Sequence, residues 1–451
     1  MRIYHFILIV SASIWTHCTA ALHFMIIMLA LLLRGIPVLS EGRLGTRSVG
    51  VEYLNYWITV LRLFVRGLCL LGSYELKEDK WPIFLRLFLF NSLLILLIRY
   101  VDDYFIFFLL FELSILPVYY IVLGWGGFSR VEAAYGILLF TLTTGGPFIF
   151  IFRILKINSI ELWGTVELEG QILVEPFIGG YTYGDDLSRE TTWRFIIFGF
   201  LSKLPIFGFH QWLPLAHSSA PLPGSILLAG ILIKLGILGL IRFAPVIGSD
   251  FDIFFLSAAI AIAGYWTIAG VCLVTGDIKY IVACSSVIHI RLVATICIQF
   301  ENCSAQIILF TAWTHGVRSV TIFYVNNLFF KKSLTKQTLF SRKFIYSNPV
   351  LVLYSFLAVI SSLGVPPYGS IVSEILALSF TLLWWADAIC YLIVGILVAG
   401  CFHLLYFIVS RRGRKTFSRL ASNLTLLEHI ICIGLVIGNF TVNILAEILS
   451  G

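Results

Sequence analysis

Residues 203–242 read KLPIFGFHQWLPLAHSSAPLPGSILLAGILIKLGILGLIR, an apolar text punctuated by prolines, with a lysine in each of its two halves. The second half, near 220–243, is long enough to cross a hydrocarbon core, which takes about 20 helical residues. Lys234 falls in its middle, where a charge costs about 3 kcal/mol on insertion scales. The first half belongs to a span near 193–217 in which Pro205 follows Lys203 by two residues. Proline removes a backbone donor and frees a carbonyl, which membrane depth tolerates only where protein or water satisfies it. Two lysines inside apolar segments, one beside a break, predict a helical membrane protein with an internal polar site.

The rest of the chain has the same character. Of its 451 residues, 59% are hydrophobic and 12% charged, against roughly 25% charged in soluble domains. Mean hydropathy is +0.97. Apolar runs are continuous rather than alternating, which argues against a β-barrel and predicts an all-α polytopic membrane protein. Spans are expected near 54–73, 82–99, 103–123, 131–153, 193–217, 220–243, 251–273, 279–299, 305–330, 349–382, 387–409 and 424–448. The start (Met1, Arg2, then apolar residues) could pass for a signal peptide. Apolar sequence continues to Leu33, which favours one long or two short membrane helices over 3–33. The total is about 13 or 14 helices in a single membrane domain, 1–451, with no soluble domain attached.

Several chemistries are excluded. The nine cysteines lie mostly in apolar segments and form no CxxC pair, so neither a disulfide framework nor zinc or iron–sulfur spacing is present. No GxxxxGK[ST] loop or HExxH pair occurs, and the histidines lack the paired spacing of membrane b-type haems. The net charge of +7 sits in short loops, which fits membrane orientation better than a nucleic-acid partner. Loops 331–343 and 411–419 are strongly basic and two spans apart, so they are expected on one face, the cytoplasm or its organellar equivalent. The acidic segment 154–192 falls on the other.

A second break is written at Gly364, Pro366 and Pro367, ahead of Glu374, and a further carboxylate, Glu112, lies inside the span at 103–123. Paired interrupted segments in the two halves of a chain point to inverted-repeat transporter architecture. The first repeat region is expected over 103–243 and the second over 251–382, with C-terminal helices over 387–451. A buried carboxylate is driven to keep its proton and a buried lysine to lose one, while pairing keeps both ionised. A Glu112–Lys203 pair that is made and broken would therefore toggle the lysine. Lys234, His289 and His315 would continue a proton relay, with Glu374 as its terminal acid. Histidines 289 and 315 could equally be packing residues. His210 and His217 border a broken span, where capping or interfacial roles are expected. Arg86, Arg99, Arg153, Arg242, Arg291 and Arg318 lie near span ends or faces, where snorkelling to headgroups is expected.

The text from Lys203 to Arg242 closely resembles the signature of the antiporter-like subunits of respiratory complex I. Residues 105–125 (FIFFLLFELSILPVYYIVLGW) resemble the family's glutamate-bearing helix, and GDIKYIVACSSVIHI (276–290) the segment leading into its histidine helix. WTHG (313–316) and PPYGSIVSE (366–374) are similar to its next histidine site and its broken helix with a terminal acid. These blocks cover roughly residues 105–375 in the family's order; residues 1–80 and the C-terminal quarter match only in hydropathy. The resemblance implies two inverted five-helix repeats with discontinuous helices, and a relay of Glu112, Lys203, Lys234, His289, His315 and Glu374. Glutamate at the distal position points to the subunit 4 branch. It also implies no cofactor bound by this chain, with flavin and iron–sulfur clusters in partner subunits that oxidise NADH. The implied partners are other complex I membrane subunits, neighbouring antiporter-like ones among them, together with phospholipids.

Departures are visible. Leu215 stands where the family often has a basic residue. Arg291, two residues beyond His289, and Arg318, three beyond His315, add unusual charges. The first 100 residues are divergent. The leading expectation is a proton-translocating complex I subunit of the mitochondrial inner membrane, with the bacterial plasma membrane as the other location. The alternatives are a subunit of a multiple-resistance-type cation/proton antiporter, which shares the signature, and a scaffold that has lost pumping, against which the four retained intramembrane charges argue.

Overall fold

The computed structural model describes residues 47–73, 80–101, 104–157, 199–205, 207–247, 274–298, 305–333, 348–384 and 424–450, with single positions between 263 and 272 and between 393 and 408. The expected helices over 3–33, the acidic segment from 158 onward and the basic loops at 334–343 and 411–419 lie outside the described residues. The total helix number expected from the sequence depends on those segments.

An apolar backbone away from water can satisfy its N–H and C=O groups only internally, and helices do this within one segment. The elements are α1 (Arg47–Gly72), α2 (Trp81–Tyr100), α3 (Tyr104–Leu113), α4 (Ile115–Trp125), α5 (Arg130–Ile157), α6 (Trp212–Ser219) and α7 (Leu222–Leu227). A π-helical turn (Leu228–Leu232) then leads into α8 (Ile233–Ile247). They are followed by α9 (Ile278–Ile298), α10 (Ala305–Ser333), α11 (Pro349–Ser362), α12 (Gly369–Trp384) and α13 (Leu426–Ser450). Among the described residues three stretches are long and apolar enough to cross a membrane: Trp81–Ile98, Phe105–Trp125 and Leu222–Arg242. Hydroxyls inside the apolar helices bond back to carbonyls one turn earlier, as Thr141 does to Ile137 and Ser286 to Ala283, both at 2.7 Å. That leaves few polar atoms to be satisfied across helices.

The interruptions have local causes. Pro117 cannot donate to Leu113, and its ring crowds that carbonyl; the helix is accordingly interrupted at Ser114, separating α3 from α4. The expected span at 193–217 is in two pieces, a helical run ending at Lys203 and then α6, with turns between them. Gly208 in that gap has φ +93°, a left-handed conformation open to glycine at little cost. The span at 349–382 is likewise divided, into α11 and α12, with Gly364 at φ +65° between them.

α10 is the hub of the packing, touching α1, α7, α9, α11, α12 and α13, while α6 bridges α5 and α9. Every residue from Leu222 to Ile241 is buried among other helices. Close approach there depends on small residues. A Cβ at Gly230 would sit 2.7 Å from Val65 of α1, and one at Gly239 would overlap the ring of Phe200. α2 instead turns Ile83, Phe90, Leu93 and Leu97 outward, an apolar face suited to lipid or to neighbouring membrane helices.

Candidate functional site

The first cluster forms where two interruptions meet. Lys203 is the last helical residue before the turn at Leu204 and Pro205, and Glu112 lies near the end of α3. Lys203 Nζ is 3.0 Å from Glu112 Oε1, with both side chains largely buried. The same ammonium donates to the Phe111 carbonyl at 3.2 Å and lies 3.3 Å from the centroid of the Phe111 ring. A carboxylate, a carbonyl and an aromatic face thus share one cation, which offsets part of its desolvation. Gly145 of α5 lies against the carboxylate, since a Cβ there would be 2.8 Å from Glu112 Cδ. Beside the pair is a cavity of about 20 Å³, lined by Lys203, Ser114, Thr141, Trp212, Leu228 and Leu235. It has room for about one water.

The second cluster centres on Lys234, 1% exposed, one residue beyond the start of α8. Its Nζ donates to the Ala229 carbonyl in the π-helical turn and lies 2.9 Å from His315 Nδ1. His315 Nε2 is 3.2 Å from the Ser286 carbonyl. A carbonyl only accepts, so Nε2 carries the proton and Nδ1 receives the hydrogen bond from the lysine. His315 is thereby a neutral bridge from α8 to α9.

The third cluster surrounds Glu374 on α12. Its Oε1 is 3.0 Å from Arg318 Nη1 and 3.1 Å from His289 Nδ1. The arginine contact is a hydrogen-bonded ion pair. The histidine contact is close but misaligned, and neither ring nitrogen of His289 makes a hydrogen bond among the described residues. Gly364 in the break allows the carboxylate to approach, since a Cβ there would be 3.1 Å from Glu374 Oε2. Val365, Pro366 and Pro367 are exposed, so the break opens outward while the acid stays mostly buried. Clusters two and three are joined by helix periodicity: Ser286 and His289 share one face of α9, as His315 and Arg318 share one face of α10. No hydrogen bond joins Lys203 to Lys234 among the described residues, and the small cavity beside Lys203 is lined by Leu228, Leu232 and Leu235 but not by Lys234.

Three arginines do not take the snorkelling role expected of them. Arg318 holds Glu374. Arg291 is fully buried and donates from Nε to the Pro205 carbonyl at 3.1 Å. Arg242 donates to the Ile98 carbonyl at 3.2 Å and stacks over Phe107. Freed backbone carbonyls and a buried carboxylate attract these cations more strongly than headgroups, and distance from a span end did not reveal that. His217 is not interfacial either. It is wholly buried and stacked on Phe323 with ring centroids 4.3 Å apart, and neither of its ring nitrogens is hydrogen-bonded among the described residues. Its place between prolines in an apolar run was the available signal. For Gly145 the signal was the Gly145–Gly146 pair inside a span.

Apolar helices interrupted at three places among the described residues, with a buried ion pair or a buried charge at each, define an antiporter-like helical membrane protein. The chain belongs to the family described as NADH:quinone oxidoreductase/Mrp antiporter, TM, whose pattern matches residues 101–402. It is 29% identical over 339 residues to the NADH-quinone oxidoreductase subunit M of Rickettsia prowazekii, covering 73% of this chain and 66% of that protein. It is 28% identical over 417 residues to the NADH-ubiquinone oxidoreductase chain 4 of Locusta migratoria, covering 90% of this chain and 89% of that one. Among solved structures, a chain of respiratory complex I from Thermus thermophilus with bound NADH superposes with a TM-score of 0.76. That match has 18% identity and covers 88% of this chain and 82% of the other, a likeness of fold.

Proposed function

We propose that this chain is a proton-translocating membrane subunit of NADH:quinone oxidoreductase, resident in the mitochondrial inner membrane. It carries no redox centre of its own and takes its drive from partner subunits that hold flavin and iron–sulfur clusters. The observation that carries the reading is the Lys203–Glu112 pair, buried immediately before a helix break. In the paired state the carboxylate compensates the ammonium. When the two separate, burial leaves the lysine uncompensated and it releases its proton. Lys234, already bonded to neutral His315, is placed to receive the charge. The Ser286 carbonyl orients the His315 ring and takes up no proton, so onward transfer to the His289 ring, one turn along α9 from Ser286, and then to the Glu374 cluster would need an intervening water. The inverted repeats implied by resemblance would make the two interrupted spans counterparts, each supplying one charged pair.

Purification of the native membrane assembly tests the reading. Flavin, iron–sulfur partners and NADH-driven proton uptake in sealed vesicles are expected to accompany this chain. Small antiporter subunits without redox centres would identify a cation/proton antiporter instead.

Gly145→Ala is a milder probe of the same pair. The added methyl group would push the Glu112 carboxylate off Lys203 Nζ, and the protons taken up per electron should fall about ten-fold, as expected for a misplaced reacting group. An unchanged ratio in vesicles would show that the carboxylate acts without that contact.

A further inference from the structure

We propose that Arg291 is a positioning residue for Lys203, fastening the interrupted helix at Pro205 to the helix that carries His289. The inference rests on the relay role given to Lys203 above. Arg291 is 0% exposed, and a buried guanidinium is costly unless good contacts compensate it. Its Nε donates to the Pro205 carbonyl at 3.1 Å. That carbonyl lies just past the end of the helical run at Lys203, where peptide groups have lost their helical partners and partial negative charge accumulates. A charge-assisted bond at such a carbonyl is about twice as strong as a neutral one.

The surroundings are shaped for the guanidinium. A Cβ at Gly264 would overlap Arg291 Nη1 and Cζ, so only a residue without a side chain allows the segment at 263–264 to close over it. The bond also fixes a distance that matters. Lys203 must reach Glu112 Oε1 and the Phe111 carbonyl together, and displacement of Pro205, two residues on, would draw its ammonium away from both. Because Arg291, Ser286 and His289 share α9, the fastening links the first charge pair to the helix that meets Glu374.

The test uses the assembled oxidoreductase in sealed vesicles, comparing Arg291→Met, Arg291→Lys and Gly264→Ala, with Lys203→Ala as reference. Gly264→Ala meets only the mobile end of a flexible side chain, so it displaces the guanidinium without removing it. At matched amounts of assembled enzyme, Arg291→Met and Gly264→Ala should lower protons per electron roughly ten-fold. Arg291→Lys, which still offers a donor to the single carbonyl, should recover most of the ratio. A normal ratio in Arg291→Met, with losses confined to the amount assembled, would make the arginine merely structural and overturn the proposal. So would a loss that lysine does not restore. If Arg291→Met does not assemble, Gly264→Ala decides alone. A normal ratio in Lys203→Ala would instead remove the relay reading itself, a distinct result.

Discussion

Lys203→Ala is expected to abolish NADH-driven proton uptake while the chain remains in its assembly. The ammonium is the shared partner of the Glu112 carboxylate, the Phe111 carbonyl and the Phe111 ring, and among the described residues no other side chain pairs with that carboxylate. Removing one member of a buried pair leaves the other uncompensated, at a cost of about 3–5 kcal/mol. Part of that cost appears as lower stability, so the single mutant needs a companion. In Lys203→Ala/Glu112→Ala both charges are gone, and assembly should return toward the native level. Proton uptake should not return, because the toggling group is absent. Measuring protons per electron in both variants separates the two effects. Uptake restored by the double substitution would mean that the pair serves the fold and not the transfer.

Lys234→Met should be nearly as severe, for a different reason. Methionine keeps the volume of a wholly enclosed side chain but offers no donor to His315 Nδ1 or to the Ala229 carbonyl. The histidine keeps its bond to Ser286 and loses its proton source. We expect protons per electron to fall at least about ten-fold, comparable to losing a positioned acid–base group, with Lys203 and Glu112 still paired. A normal ratio would place the route outside α8. His315→Asn, which removes the titrating ring, should then give a loss of similar size if the two act as one unit.

The sequence made some of this legible and hid the rest for identifiable reasons. Lys203, Lys234, Glu112 and Glu374 stood out because a charge inside an apolar run is costly, and cost is readable one segment at a time. Pro205 and the Gly364–Pro367 run announced interruptions because proline and glycine act on their own backbone. The interruption at Ser114 was equally written, in Pro117, but it sits inside a run so apolar that continuity was the stronger signal. What stayed hidden is relational. Nothing in the text around Arg318 says that Glu374, 56 residues later, will be its partner. Arg291 likewise finds Pro205, 86 residues earlier. Proximity to a span end suggested headgroups, whereas the packing of α9 and α10 against their neighbours turned both arginines inward.

The enclosure of Leu222–Arg242 also bears on how the chain is made. Lys203 emerges from the ribosome after Glu112, so its counter-charge is already in the bilayer when it arrives. Lys234 has no such reception. His315, the side chain that takes up its hydrogen bond, is synthesised 81 residues later. In the interval a helix with a cation at its centre, disfavoured by about 3 kcal/mol in lipid, has to be sheltered by insertion machinery or by the helices already laid down. The later half of the bundle is then required to complete the earlier one, and nascent chains arrested between residues 242 and 315 should remain attached to the insertase, whereas those arrested after α10 should not.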